Sequence, residues 1–433
     1  MFLTHARHAH FTAAILLCAA HTEAPSQAAF NDFEDPPHNY WETPPQDAAT
    51  HLHERIQAGE VKLPAGDAKE FVTAYLNALG VPAESQIIVF SQTSFQRKII
   101  RAENPRAMFF NEDVYVGWIP GGKIEVAAID PVLGAIFYIF DPPTAAQPAP
   151  KLERLGSCLG CHAGSATNFL PALTVNSRYT MRDGRPLRSA RPSFSGHGAE
   201  IGQRWGGWFV TGESEGLAHL GNAFASGRGT EVIPAGDLGE FIDPDLLPFG
   251  NQSDIAAMLL HDHQVGAINR LIEANYRIRT ALYNVESDLP VAERPLSGTD
   301  LEMAREHGDR LLEYLFFAGE APLPESGIAA EPQFARAFAA NRKPDARDRS
   351  LKDLRLRGRM LEYRFSYMIY SEAFRGLPKA FRDLLYHRIR EIGTAAIPAE
   401  GFRHIPAAER KAIVEILDAT LPEFAAANQP SAG

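Results

Sequence analysis

VYVGWIPGGKIEVAAIDPVLGAIFYIF, residues 114–140, reads as strand, turn, strand, turn, strand. Val114–Ile119, Lys123–Ala128 and Ala135–Phe140 are short apolar or alternating runs, and Pro120-Gly121-Gly122 and Asp130-Pro131 with Gly134 break them. Upstream, Gln86–Phe90 and Phe95–Ala102 continue the pattern, so the chain contains a small antiparallel meander. A helix over 68–79 precedes it. Phe71, Tyr75 and Leu79 recur at helical spacing, Asp67 stands at the N-cap, and Gly80-Val81-Pro82 stops the helix. Its apolar stripe is suited to cover one face of the meander.

Downstream, PPTAAQPAP (142–150) is a linker stretched by its prolines. CLGCH follows at 158–162. In C-x-x-C-H two thiols add across the two vinyl groups of one haem, and the i,i+3 spacing on a helical turn points both sulfurs one way. The adjacent imidazole then reaches the iron from the face those thioethers define. Cys158 and Cys161 are therefore the expected attachment points of one covalent haem c, and His162 its proximal iron ligand. Zinc competes poorly, because a tetrahedral site wants four ligands and no second C-x-x-C exists. A redox dithiol expects an opening βαβ unit, which the glycine- and leucine-containing surroundings do not supply. Neither alternative explains His162.

The N-terminus agrees with this chemistry. Arg7 and several histidines precede a ten-residue apolar stretch, Phe11–Ala20, and Ser26-Gln27-Ala28 is a small-x-small cleavage site, so 1–28 is read as a signal peptide. The apolar stretch is well short of the about 20 residues that span a bilayer. Cys18 would leave with the signal, and both remaining cysteines belong to the haem motif. The expected compartment is the periplasm, where c-type haem is attached after export. A net charge of −11 lacks the basic footprint nucleic acid requires, and no later run has membrane length. A redox partner protein is the expected partner.

Residues 163–250 read mostly as loop, with Trp205–Thr211 as the best strand. Beyond Ser253 the pattern is helical. Asn251 or Ser253 caps a long helix through Tyr283, and Thr299 with Glu302 forms a capping box before a helix ending at Gly319. Ser350 opens a third helix to about Phe374, and Pro378 and Pro406 start two more. The expected class is α+β. Its parts are a β-rich domain over 29–141, the linker 142–150, a loop-rich haem-attachment region over 151–250, and a large α-helical domain over 251–433.

This layout differs from a stand-alone small cytochrome c, where the motif lies near the N-terminus. The blocks FSQTSFQR (90–97), VYVGWIPGGKIEVAAIDP (114–131), CLGCH (158–162), RWGGWFVTG (204–212), HDHQ (261–264) and YSEAF (370–374) instead resemble a group of bacterial exported mono-haem c-type cytochromes. The resemblance covers most of the mature chain. It implies haem and electron transfer, without a settled activity.

The second axial ligand decides between a carrier and a reactive haem. Met181, Met258, His197, His219, His261 and His263 are the candidates. Met258, His261, Val265, Ile268 and Ile272 follow one helical stripe, and Ala256, Leu259, His263 and Ala267 an adjacent one. His263 is the expected distal ligand, then His219. An isolated His261-x-His263 metal pair is a weaker reading. Trp205, Trp208 and Phe209 are candidates for a wall at the haem edge, and Arg178, Arg182 and Arg204 for its propionates. The expected function is mono-haem electron transfer. A haem enzyme of peroxidase or oxygenase type, with an open or displaceable distal site, is the alternative.

Overall fold

Asp67 accepts the amide of Glu70 and opens the helix the sequence predicts, here α2 (Ala68–Ala78), preceded by α1 (Ala48–Gln57) under its own cap, Asp47. The computed structural model describes residues 32–187, 196–212, 217–226 and 238–427 and the backbone of 229–234. The expected signal peptide, its cleavage site and Cys18 lie outside the described residues.

The meander forms the largest sheet among the described residues. Strands β1 (Ile87–Val89), β2 (Arg106–Phe110), β3 (Val114–Trp118), β4 (Ile124–Asp130), β5 (Gly134–Phe140) and β6 (Glu153–Arg154) pair antiparallel in chain order. β7 (Trp208–Phe209) closes the other edge against β1, giving seven strands. Gly134 is needed at the start of β5: its φ is +79° and a Cβ there would meet the Pro171 carbonyl oxygen at 2.7 Å. One face is covered by α1 and α2, through the Tyr138 hydroxyl on Asp47 and the rings of Phe71 and Tyr75 on Phe140. The class is α+β.

Two strand assignments move. Phe95–Ala102 is a loop with a 3-10 turn at Arg97–Ile99, and the strand beside β1 is Arg106–Phe110 instead. The Gln96 side chain donates to the Lys123 carbonyl and accepts from the Lys123 amide, which ties the loop to the β3–β4 turn without a ladder. Of the expected strand Trp205–Thr211, only Trp208–Phe209 joins the sheet, while Thr211 makes an isolated parallel bridge to Asp254.

The division at 142–150 is also corrected. β6 lies beyond this segment and pairs with β5, and β7 lies further on and pairs with β1. The described residues belong to one compact unit, so the prolines join parts of one sheet rather than separating domains.

The motif helix α3 (Leu159–His162) follows β6, and a hairpin of β8 (Ala223–Ser226) and β9 (Gly229–Pro234) follows β7. α4 (Ile255–Tyr283) is the long helix expected. Its cap is Asp254, whose carboxylate accepts the amides of Ala256 and Ala257, rather than Asn251 or Ser253. α5 runs Gly298–Leu315 from Ser297, leaving Thr299 and Glu302 inside the helix, so the expected capping box is not formed. α6 (Pro332–Ala339) precedes the largest correction, which falls on the predicted helix at 350–374. LRLRGRML alternates with period two and folds as a hairpin, β10 (Leu354–Arg357) and β11 (Arg359–Leu361), about Gly358 at φ +68°. A 3-10 turn at Tyr367–Tyr370 and the short α7 (Glu372–Arg375) complete that stretch. α8 (Lys379–Thr394) and α9 (Ala407–Thr420) start after Pro378 and Pro406 as expected, and α10 (Pro422–Ala427) ends the described chain. Among the described residues no helix is long and apolar enough to cross a membrane.

Candidate functional site

Cys158 ends a 3-10 turn, Gly156–Cys158, that runs directly into α3, so Cys158, Cys161 and His162 lie on one continuous short helix. All three line a cavity of about 840 Å³, within the roughly 300–1,000 Å³ usual for cofactor sites. The His162 ring packs on Phe137 at 4.3 Å between centroids. Its Nδ1 lies 3.0 Å from the Ala172 carbonyl oxygen, while the Ala172 amide donates to the His162 carbonyl at 2.9 Å. A carbonyl only accepts, so Nδ1 carries the proton and Nε2 keeps a free lone pair. Burial lowers the His162 pKa, which keeps the ring neutral near pH 7. Burial, with Glu125 and Cys161 adding, pushes the Cys158 thiol up to about 11. A reactive dithiol needs the opposite shift.

The floor of the cavity is the sheet face opposite α1 and α2. Met108, Gly117, Glu125 and Ile139 form one row across four strands, and Phe110, Tyr115, Ala127 and Phe137 the next. Small residues, Gly117 and Ala127, occupy the middle of both rows. A Cβ on Gly117 would meet the Arg106 Cδ at 3.5 Å and the Glu125 Cβ at 3.7 Å, ordinary contacts, so alanine fits while a longer side chain has to enter the cavity. If the cavity holds the haem expected of CLGCH, Gly117→Leu should cut the yield of haem-loaded protein severalfold, through an overpacking cost of about 1–3 kcal/mol once the cavity is filled. Gly117→Ala is expected to load normally. Haem-to-protein absorbance ratios of the purified variants, with circular dichroism for the fold, check both.

From α4, His261 and Val265 reach this cavity. His261 is 2% exposed, packs edge-on to Phe110 and Tyr115 at 5.2 and 5.7 Å, and faces Trp208 at 6.3 Å. Burial, then the nearby Arg106 charge, lowers its pKa to about 3. No hydrogen bond to its ring is formed among the described residues. Residues two apart on an α-helix point about 200° apart, and His263 accordingly leaves by the other side. His263 Nδ1 lies 2.8 Å from His197 Nδ1, its Nε2 2.7 Å from the Ser366 hydroxyl, and its ring stacks on Phe317. The expected distal role of His263 is thus not supported by its position, since both its nitrogens are engaged away from the cavity. His219 does not line the cavity either and lies edge-on to Trp205. The same helical geometry separates the H-x-H pair, and Asp262 between them faces Arg204 and Trp205.

Of the aromatic wall, Trp208 lines the cavity, held by its indole N–H on the Asn176 carbonyl at 2.8 Å. Trp205 turns to Asp262 and Phe209 to Phe90. Of the three arginines, Arg178 lines the cavity, Arg182 pairs with Glu103 and Arg204 is buried against Asp262. Arg106, which the sequence did not mark, crosses the floor and pairs with Glu125 at 2.9 Å. Glu125 also accepts from Ser94 and Gln96. Arg106 and Arg178 share one property: each has a buried Nε without a hydrogen-bond partner. Glu125, alone among apolar neighbours in IEVAAI, was the one sequence signal available for this pair.

Among the described residues no three His, Cys, Asp or Glu side chains are grouped to hold a bare metal ion. Comparison with protein-family models, curated proteins and solved structures gives no match.

Proposed function

We propose that this chain is an exported, periplasmic electron-transfer protein in which Cys158 and Cys161 would hold one haem c and His162 and His261 would ligate its iron. When bound, the haem supplies a one-electron ferric–ferrous couple. The observation that carries the reading is His261, a buried neutral imidazole without a hydrogen-bond partner among the described residues, on the wall of the cavity that contains CLGCH. His162 packs on Phe137 and His261 on Tyr115, two strands away, which is about 10 Å, with Ala127 between them in the row.

The chain's own residues fit that group. The Ala172 carbonyl holds the His162 tautomer with Nε2 free to ligate. Burial keeps both rings neutral, as iron ligation requires. Gly117 and Ala127 keep side-chain bulk off the cavity floor, and the buried Nε–H groups of Arg106 and Arg178 would be donors suited to the propionate carboxylates of a haem. Glu125 balances the Arg106 charge beneath it.

A haem enzyme is the second reading, favoured by the presence of Arg106 and Glu125 in the same cavity as His261, a polar set that could serve a displaceable distal site. The absorption spectrum separates the two. Carrier chemistry gives haem retained through acid-acetone extraction, one per chain, low-spin in the ferric state and without the weak near-infrared band of methionine ligation. A high-spin ferric spectrum moves the enzyme reading ahead, and extractable haem or zinc in its place ends both.

A further inference from the structure

One wall of the cavity is unlike the others. The segment Gln92–Arg101, QTSFQRKIIR, holds three cations and no acid in a chain of net charge −11. Its residues 92–99 line the cavity, yet Phe95 is 66% exposed, and Arg97, Lys98 and Arg101 are exposed with no ion pair among the described residues. Bordering cations are already neutralised, Lys123 by Asp141 and Arg182 by Glu103. The loop is also held in shape. Gln92 donates to the carbonyls of Ile100 and Asp183, Ser94 to Glu125, and Gln96 to Lys123. A fixed loop that presents an aromatic ring to water gives up little entropy when something covers it.

We propose that this loop is the docking surface for an acidic redox partner protein, an inference that rests on the electron-transfer reading. Phe95 would be the desolvated centre, with Arg97, Lys98 and Arg101 as its cationic rim. The rest of the chain repels an acidic partner, so the local patch both attracts and orients it. A partner seated there is separated from the contents of the cavity only by the loop itself. A membrane surface would also answer to an aromatic ring among cations, but it has no use for contact with the cavity wall.

The test is stopped-flow oxidation of the reduced, haem-loaded protein, in which one electron leaves the protein and no bond or proton changes. Hexacyanoferrate(III) serves as the anionic oxidant, tris(phenanthroline)cobalt(III) as the cationic one, and a small acidic blue-copper protein as the protein probe. At low ionic strength hexacyanoferrate and the blue-copper protein are expected to be accelerated, with rates that fall as salt is added. The charge reversal R97E/K98E/R101E is expected to slow both by about tenfold or more and to speed the cationic oxidant, an opposite pair of shifts that damage to the haem site would not produce. Phe95→Ser is expected to slow the blue-copper protein alone. If the cationic oxidant is the one slowed by salt, or the charge reversal leaves the rates unchanged, the docking surface lies elsewhere. If the charge reversal instead abolishes sedimentation with phosphatidylglycerol vesicles and leaves the oxidation rates alone, the loop faces a membrane. A protein without haem is seen in the spectrum before any rate is measured, and it overturns the electron-transfer reading and the docking surface with it.

Discussion

Replacing both Cys158 and Cys161 by alanine is expected to abolish covalent haem, leaving none on the polypeptide after acid-acetone extraction of protein made in a host with cytochrome c maturation. Each single variant is expected to retain less haem than the wild type, with the α-band of its pyridine haemochrome shifted to the red because one vinyl group stays unsaturated. The argument is local. The two cysteines lie three residues apart on one short helical segment and line one cavity, so neither can be replaced by another thiol of the described chain, which has no further cysteine. His162→Ala is expected to be at least as damaging. Its ring carries the free Nε2 and also anchors Ala172, which accepts from that ring and donates to the His162 carbonyl. Full haem retention in the double cysteine variant, measured by haem-stained gel and haemochrome assay, would remove covalent attachment from the reading.

The parts of the fold that were legible in sequence are those governed by neighbours in the chain. β3, β4 and β5 are flanked by glycine and proline turns and carry the right residues at the right period, so their bounds shift by no more than a few positions. Asp67 opens α2 for the same local reason. Where partners are distant, the reading fails. Phe95–Ala102 has strand-like composition, but Gln96 bonds the turn after β3, a contact 27 residues away that no local pattern reveals. Leu354–Leu361 alternates with period two, yet it sits in a helical half of the chain, and that context outweighed the alternation.

The site divides along the same line. CLGCH is a contiguous motif whose spacing carries its chemistry. Arg106, Glu125 and His261 come from strands and a helix far apart in sequence, and only the packing of α4 on the sheet brings them to one cavity. The choice between His261 and His263 shows the limit most sharply. The first four turns of α4 are buried on all sides, from Ile255 to Ile268, so hydrophobic periodicity marks no preferred face. Both histidines sit on apolar stripes, and the stripes alone cannot say which one meets a protein wall and which meets a cavity.

That choice has the second large consequence. His261→Ala is expected to convert a low-spin ferric spectrum to high spin and to let cyanide and carbon monoxide bind faster, because the variant lacks the only histidine of α4 that lines the cavity. The loss should be visible without unfolding, since the His261 ring makes aromatic contacts and no hydrogen bond whose partner would be stranded. His263→Ala is expected to behave in the opposite way. Its spectrum should match the wild type, while the protein loses stability, because His197 and Ser366 are left facing a buried gap. Each buried partner left unpaired costs about 1–3 kcal/mol, which a shift in the urea midpoint would show. The two variants thus separate a ligand from a core histidine by different measurements, one spectroscopic and one thermodynamic. A spectrum that changes in His263→Ala and not in His261→Ala would return the distal role to His263, against the geometry of α4. A wild type already high-spin would leave His261 as a distal residue beside Arg106 rather than a ligand, and the polar floor of Arg106 and Glu125 would then be read as part of a reactive site.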